Sequence, residues 1–169
     1  MLLGYVCCLP NPNTIGMVHE LFSSDEEEIE AFAQKRDGFG KGIYDCIGLF
    51  RPGETIRNKQ TVVALPHLVV DLDLKNMSAT RAEVLQILRD LIIRPTEVRD
   101  SGHGLHAIWA LKEPLTGDAI ADGERYMKDL VRILAGDPMP THRAALLRRP
   151  GTHNTKDGSM RLCHVLEGF

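Results

Sequence analysis

The sequence predicts a mixed α/β or α+β protein built as one domain. Stretches with strand-like apolar spacing recur between stretches with helix-like spacing along the whole chain, and such interleaving marks these two classes. The 169 residues suffice for one real core and not for two independent ones. Composition, 43% hydrophobic and 25% charged, is that of an ordinary globular chain rather than a disordered or fibrous one.

Taken in order, residues 2–9 read as a first strand. SSDEEEIEAFAQKRDG reads as a helix with Ser24 as cap, acids in its first turn and Gly38 at its stop. Residues 43–50 form a strand that ends in the turn Arg51-Pro52-Gly53, and residues 61–64 and 67–73 are extended. NMSATRAEVLQILRDLI is a second helix, capped by Ser78, with Val84, Leu85, Leu88, Leu91 and Ile92 on its apolar face. Short strands follow near 96–100 and 105–111. A third helix over 116–134 turns Tyr126, Leu130, Val131 and Leu134 to the core, and a last strand lies near 160–166.

No apolar run reaches membrane-spanning length, and MLLGYVCCLP has no basic segment of the kind that opens a signal peptide. A cytoplasmic protein without membrane partners is expected. Cys7, Cys8, Cys46 and Cys163 form no CxxC pair, so they read as free thiols, with neither zinc nor a disulfide framework. A net charge of −3 argues against holding nucleic acid by bulk electrostatics. Its distribution is uneven: residues 1–30 carry six carboxylates and no Lys or Arg, whereas residues 141–161 carry Arg143, Arg148, Arg149, Lys156 and Arg161 against the single acid Asp157. A basic segment this local suits phosphate groups.

Three phrases carry chemistry. In LPHLVVDLDLKN, residues 65–76, side chains alternate faces, so Asp71 and Asp73 point one way and Leu72 and Leu74 the other. Two carboxylates about 7 Å apart repel each other. Either the strand runs out into a solvated turn or the pair supplies hard oxygen ligands to a divalent cation. In SGHGLHAIWAL, residues 101–111, Gly102 and Gly104 permit a turn whose N–H groups face an anion, with Ser101, His103 and His106 as further donors. A structural histidine is the alternative for His106. In LAGDPMPTHRAALLRRPGTHNTK, Asp137 leaves the third helix, and Arg148, Arg149, His153, Asn154 and Lys156 crowd around a Pro-Gly turn. Forked guanidinium and compact ammonium together suit triphosphate oxygens; a solvated basic turn is the alternative.

In this order the phrases resemble the motifs of the archaeo-eukaryotic primase superfamily, in particular the primase-polymerase domains of plasmid and phage replication proteins. LVVDLDLK is similar to its apolar Asp-x-Asp motif, Gly104-Leu105-His106 to its small-x-His motif, and Asp137 to its single acid, with Asp129 the other position for that acid. RRPGTHNTK, residues 148–156, resembles the RxPGTxNxK phrase of the plasmid and phage branch, where an apolar residue is usual at the position of Arg149, and Arg57-Asn58-Lys59 resembles its upstream basic phrase. The likeness runs from about residue 43 to residue 156.

The resemblance implies a two-lobed primase fold with an RNA-recognition-motif-like sheet and an active-site cleft between the lobes. Residues 1–169 would be one catalytic domain, a fragment of a longer replication protein. It implies a template-dependent nucleotidyltransferase in which Asp71, Asp73 and Asp137 hold two Mg²⁺ or Mn²⁺ ions. Ser101, Gly102, His103, Gly104, His106, Arg148, Arg149, Asn154 and Lys156 would bind the incoming nucleoside triphosphate. The implied partners are single-stranded DNA template, primer and a fused or associated helicase, in a cytoplasm holding replicating plasmid or phage DNA. Two other classes compete. A rolling-circle endonuclease would use a helical tyrosine such as Tyr126 and a His-apolar-His strand, which HGLH is not. A non-catalytic nucleic-acid module would need aromatic stacking residues on its sheet, for which Trp109 is the single tryptophan.

Overall fold

The alternation of apolar and polar residues in the strands is resolved by two sheets meeting along a shared boundary, in a computed structural model that describes residues 1–166 and 168. Strands β1 (Gly4–Pro10), β2 (His19–Ser23), β3 (Lys41–Cys46) and β8 (Leu146–Arg148) form the first sheet, in the order β2-β1-β3-β8. Strands β4 (Leu49–Phe50), β5 (Val62–Leu72), β6 (Glu97–Asp100), β7 (Leu105–Thr116) and β11 (His164–Val165) form the second, in the order β11-β6-β7-β5-β4. A short ladder joins β9 (His153–Asn154) to β10 (Arg161–Leu162). The pairings are antiparallel.

Helix α1 (Glu26–Arg36) lays Ile29, Phe32 and Ala33 on Val6, Cys8 and Ile43 of the first sheet. Helices α2 (Arg81–Asp90) and α3 (Ala119–Leu134) cover one face of the second sheet, packing Val84, Leu88, Val131 and Leu134 on Val70, Leu72, Val98, Leu105, Ala107 and Trp109. The unit β5–α2–β6–β7–α3, with β7 between β5 and β6, is the arrangement of an RNA-recognition-motif sheet. On the opposite face of that sheet Val69 stands against Ile108, and Asp71 against His106. The apolar pair packs on Ile47 and Leu147 of the first lobe. Each such buried side chain is worth about 1.5–3 kcal/mol, so this contact ties the lobes together and leaves the polar pair at its rim.

Several expectations are corrected. The stretch 43–50 is not one strand: β3 and β4 belong to different sheets, and Ile47-Gly48 carries the chain between lobes. Gly48 is needed there, because a Cβ would sit 2.5 Å from Arg143 O and from a Val62 methyl. Residues 61–64 and 67–73 fuse into β5, whose register shifts between Leu65 and His67, around the donor-less Pro66. Asp25, not Ser24, caps α1 by accepting from Glu27 N at 2.9 Å. Thr80, not Ser78, caps α2 in a reciprocal box with Glu83, a Thr-x-x-Glu pattern visible in the sequence. Helix α3 turns Ile120, Gly123, Met127 and Val131 inward and leaves Tyr126 half exposed, while Ile92 is fully exposed beyond α2. The last strand divides into β10 and β11 at Cys163, and its tail residues Glu167 and Phe169 lie outside the described residues. Strands β2 and β8 were not expected.

Candidate active site

Where β5 ends and β7 begins, a cleft of about 230 Å³ opens beside β8. The second sheet supplies Asp71, Asp73, Lys75, Ser101, His103, Gly104 and His106. The first lobe and its β9 extension supply Tyr44, Leu146, Arg148, Asn154 and Lys156, and the chain leaving α3 supplies Asp137. The acid arrives there because Asp137 N donates to Asp71 O at 2.7 Å, an approach that requires Gly136, whose Cβ would meet a Val70 methyl at 2.6 Å. Asp129 instead lies on the exposed side of α3, paired with Arg132.

Charge in the cleft is unevenly compensated. Burial, then the carboxylates of Asp137 and Asp73, push Asp71 up to about 6, against the weaker pull of Lys156 and Arg148. His106 is buried, and desolvation with the nearby Arg99 and Arg148 takes its imidazole down to about 3, so it is neutral at physiological pH. Its Nδ1 has no hydrogen-bond partner among the described residues, and its Nε2 stands 3.8 Å from Asp71 Oδ1, too far for a hydrogen bond. Arg148, buried as well, donates among the described residues only to neutral oxygens, His153 O at 3.0 Å and Tyr44 Oη at 2.8 Å. A buried cation without a paired carboxylate among the described residues, facing acids that it and Lys156 only partly offset, is the kind of arrangement that suits a charged ligand.

Other expected residues have different jobs. Three amides of the Gly-rich turn are taken up locally: Ser101 N donates to Gly104 O, Gly102 N to Asp100 Oδ1 and Gly104 N to Ser101 Oγ. The His103 amide is not among them. Gly104 is there for close packing, since its Cβ would sit 2.5 Å from Leu72 O, and Gly102 lies against Asn154 and Arg161 rather than in the cleft. Asn154 donates to Ser101 O at 2.8 Å and pins that turn beside Lys156. His103 faces Asp157 at 3.4 Å, with burial lowering its pKa. Arg149 is not in the cleft at all; it points to the other side of β8 and pairs with Asp45, Glu26 and Glu30. Arg57 is likewise structural, donating to Ala144 O and lying over the Tyr5 ring. Two contributors were missed: Lys75, which ends the LVVDLDLK phrase, and Tyr44, which only the β3–β8 pairing brings in.

The donor set suits a divalent metal in chemistry, since three carboxylates supply only hard oxygens and the raised Asp71 is an unmet demand for positive charge. As they stand, Asp73 accepts from Lys75 N and Asn76 Nδ2, and Asp137 from Met139 N. Among the described residues no three metal-binding side chains are gathered in a ready coordination group. For the competing classes, Tyr126 lies outside the cleft-lining residues, and Trp109 is buried toward the helices with Nε1 donating to Ile93 O. Among the described residues no helix is long and apolar enough to cross a membrane.

No protein-family profile matches the sequence, and no curated protein sequence matches it. Solved structures do match. The archaeo-eukaryotic primase domain of the cyanophage S-2L primase-polymerase superposes with a TM-score of 0.72 at 10% identity, covering 99% of this chain and 82% of that one. Primase RepB′ gives 0.65 at 13% identity, covering 98% of this chain and 51% of that one, so this chain spans about half its length. The catalytic domain of RepB′ in complex with initiator DNA gives 0.65 at 14% identity, covering 98% and 77%. The fold is the primase-polymerase fold.

Proposed function

We propose that this chain is a nucleotidyltransferase that joins nucleoside triphosphates on a single-stranded DNA template, as a primase-polymerase. One observation carries the reading: three carboxylates and three cations without ion-pair partners among the described residues, Lys75, Arg148 and Lys156, line a single cleft at the end of β5. The triphosphate would bring negative charge to Arg148 and Lys156. Asp71, Asp73 and Asp137 would hold two Mg²⁺ or Mn²⁺ ions, which when bound stabilise charge on the transferring phosphoryl group and lower the pKa of a 3′-hydroxyl.

The remaining work falls to the chain itself. Neutral His106 has a ring N–H to give a phosphate oxygen without adding a charge that would compete with the metals. Arg148 offers a fork and Lys156 a point charge to the same anion. Asn154 and Ser101 keep the β9 extension and the 101–104 turn in register, so both sides of the cleft close on one ligand. Contact with a DNA strand fits the likeness to a primase solved with initiator DNA. A fused or associated helicase remains part of the proposal.

The test is incorporation of labelled nucleotides with Mn²⁺ or Mg²⁺ on single-stranded template, with and without primer. Product that depends on template and is lost with a chelator supports the reading. Template binding without any incorporation under these conditions would favour a non-catalytic nucleic-acid module.

A further inference from the structure

We infer that Gly42 and Tyr44, on β3, are positioning residues that aim the Arg148 guanidinium into the cleft, Gly42 acting through having no side chain. The inference rests on the reading of Arg148 as a phosphate ligand. Gly42 and Tyr44 share one face of β3, and Tyr44 pairs directly with Arg148 across the β3–β8 ladder. The guanidinium carbon lies 4.7 Å from the centre of the Tyr44 ring, and Tyr44 Oη accepts from Nη2 at 2.8 Å. The other branch of the fork, Nη1, donates to His153 O at 3.0 Å. Ring, hydroxyl and carbonyl thus fix the plane of a side chain that no carboxylate among the described residues restrains.

The space for this arrangement is Gly42. A Cβ there would lie 2.6 Å from Arg148 Nη1 and 2.9 Å from both Cε2 and Oη of Tyr44, closer than atoms can pack. The three nearest atoms all belong to side chains, and Gly42 has no left-handed backbone angle that would call for glycine. An alanine would therefore be accepted by β3 while driving the far end of Arg148 and the Tyr44 ring out of place. The fold would survive and the aim would not. This separates Gly42 from Gly48 and Gly104, where a Cβ would strike backbone oxygens. The phenol adds one more property. Arg148 uses Tyr44 Oη as an acceptor, so its O–H proton remains available to a ligand oxygen.

Calorimetry with inorganic triphosphate and with dATP, in the presence of Mg²⁺, tests this in a cycle of Gly42→Ala, Arg148→Ala and the double variant, with thermal unfolding measured alongside. Gly42→Ala should weaken both ligands about tenfold, leave the unfolding temperature within a few degrees, and have no further effect in the Arg148→Ala background, the coupling expected of groups acting through one another. In turnover it should raise KM for nucleotide far more than it lowers kcat. Tyr44→Leu keeps an apolar residue in β3 and should be non-additive with Arg148→Ala in the same way, which preserves the test if Gly42→Ala does not fold. Loss of affinity in Arg148→Ala but not in Gly42→Ala or Tyr44→Leu overturns the inference alone, as do additive losses. Unchanged affinity in Arg148→Ala overturns the phosphate-ligand reading, and the inference with it.

Discussion

Arg148 and Arg149 are chain neighbours with opposite surroundings. Strand alternation sends Arg148 to the cleft side of β8, among Tyr44, Asp71 and His106, and Arg149 to the side of α1. Among the described residues Arg148 bonds only to neutral oxygens. Arg149 is ringed by Asp45 at 3.0 Å, Glu30 at 3.3 Å and Glu26, which outweigh its burial and hold it protonated; burial pushes the Asp45 carboxyl up, against the opposing pull of Arg149. The two regions are two uses of one residue type. A neutralised guanidinium fastens elements, here α1 to β3 and β8, and has little charge left for a ligand. A guanidinium without a carboxylate partner among the described residues keeps its charge for what enters.

The comparison would break most visibly at Asp71. Asp71→Asn should cut nucleotide incorporation by about 100-fold or more while the metal-free protein unfolds no earlier than wild type, since the change relieves a repelling cluster. Incorporation retained in this variant would remove Asp71 from the machinery. On the other side of β8, Arg149→Ala should cost about 3 kcal/mol in urea unfolding by stranding Asp45, with triphosphate affinity of the folded protein unchanged. Lost affinity at intact stability would mean that the two sides are not separate.

The pH dependence sharpens the contrast. Asp71 rises from 3.8 to about 6 on folding, so its contribution to stability is fully present below about 3.8 and is gone once pH has passed about 6. In chelator, the stability advantage of Asp71→Asn over wild type should thus grow from pH 4 to 7, to about 2 kcal/mol once partial exposure is allowed for. A gap independent of pH would show that the carboxyl is not strained by its neighbours. The smallest effect concerns the ligand-facing groups. Arg148→Ala, Lys156→Ala and His106→Ala should each weaken triphosphate binding about tenfold, about 1.4 kcal/mol. The salt slope of template binding should stay the same, whereas a lost strand contact would lower it by about 0.7.

The parts of this division that alternate were legible in the sequence. LVVDLDL gives the two faces of β5 directly, and the Asp-x-Asp, small-x-His and Pro-Gly phrases lie at one cleft as expected. What the sequence could not display was the job of the turn amides. SGHG looks like an anion cradle until Asp100 and Ser101 are seen to take up the N–H groups of its two glycines. Arg149 was misplaced because a dense basic phrase hides which members alternate, and its carboxylates come from residues over a hundred positions away. Tyr44 had no local signal, since only the β3–β8 ladder makes it a neighbour of Arg148. Fine structure at element ends, such as Thr80 over Ser78, was present as a capping pattern and overlooked.

Strand β8 is three residues long, and its pairing, Tyr44 with Arg148, Asp45 with Leu147 and Cys46 with Leu146, gives the site a parity. A one-residue slip turns every side chain of a strand to its other face. In a descendant of this chain, a single insertion between positions 138 and 145 that bulges outward leaves the parity intact. The same insertion absorbed by the strand seats Leu147 opposite Tyr44 and swings Arg148 to the carboxylates behind, so the protein keeps its composition and its basic phrase while the cleft is without its arginine. Length changes in this loop therefore behave like shifts of a reading frame, and lineages that carry them should show either a compensating bulge or a relocated arginine.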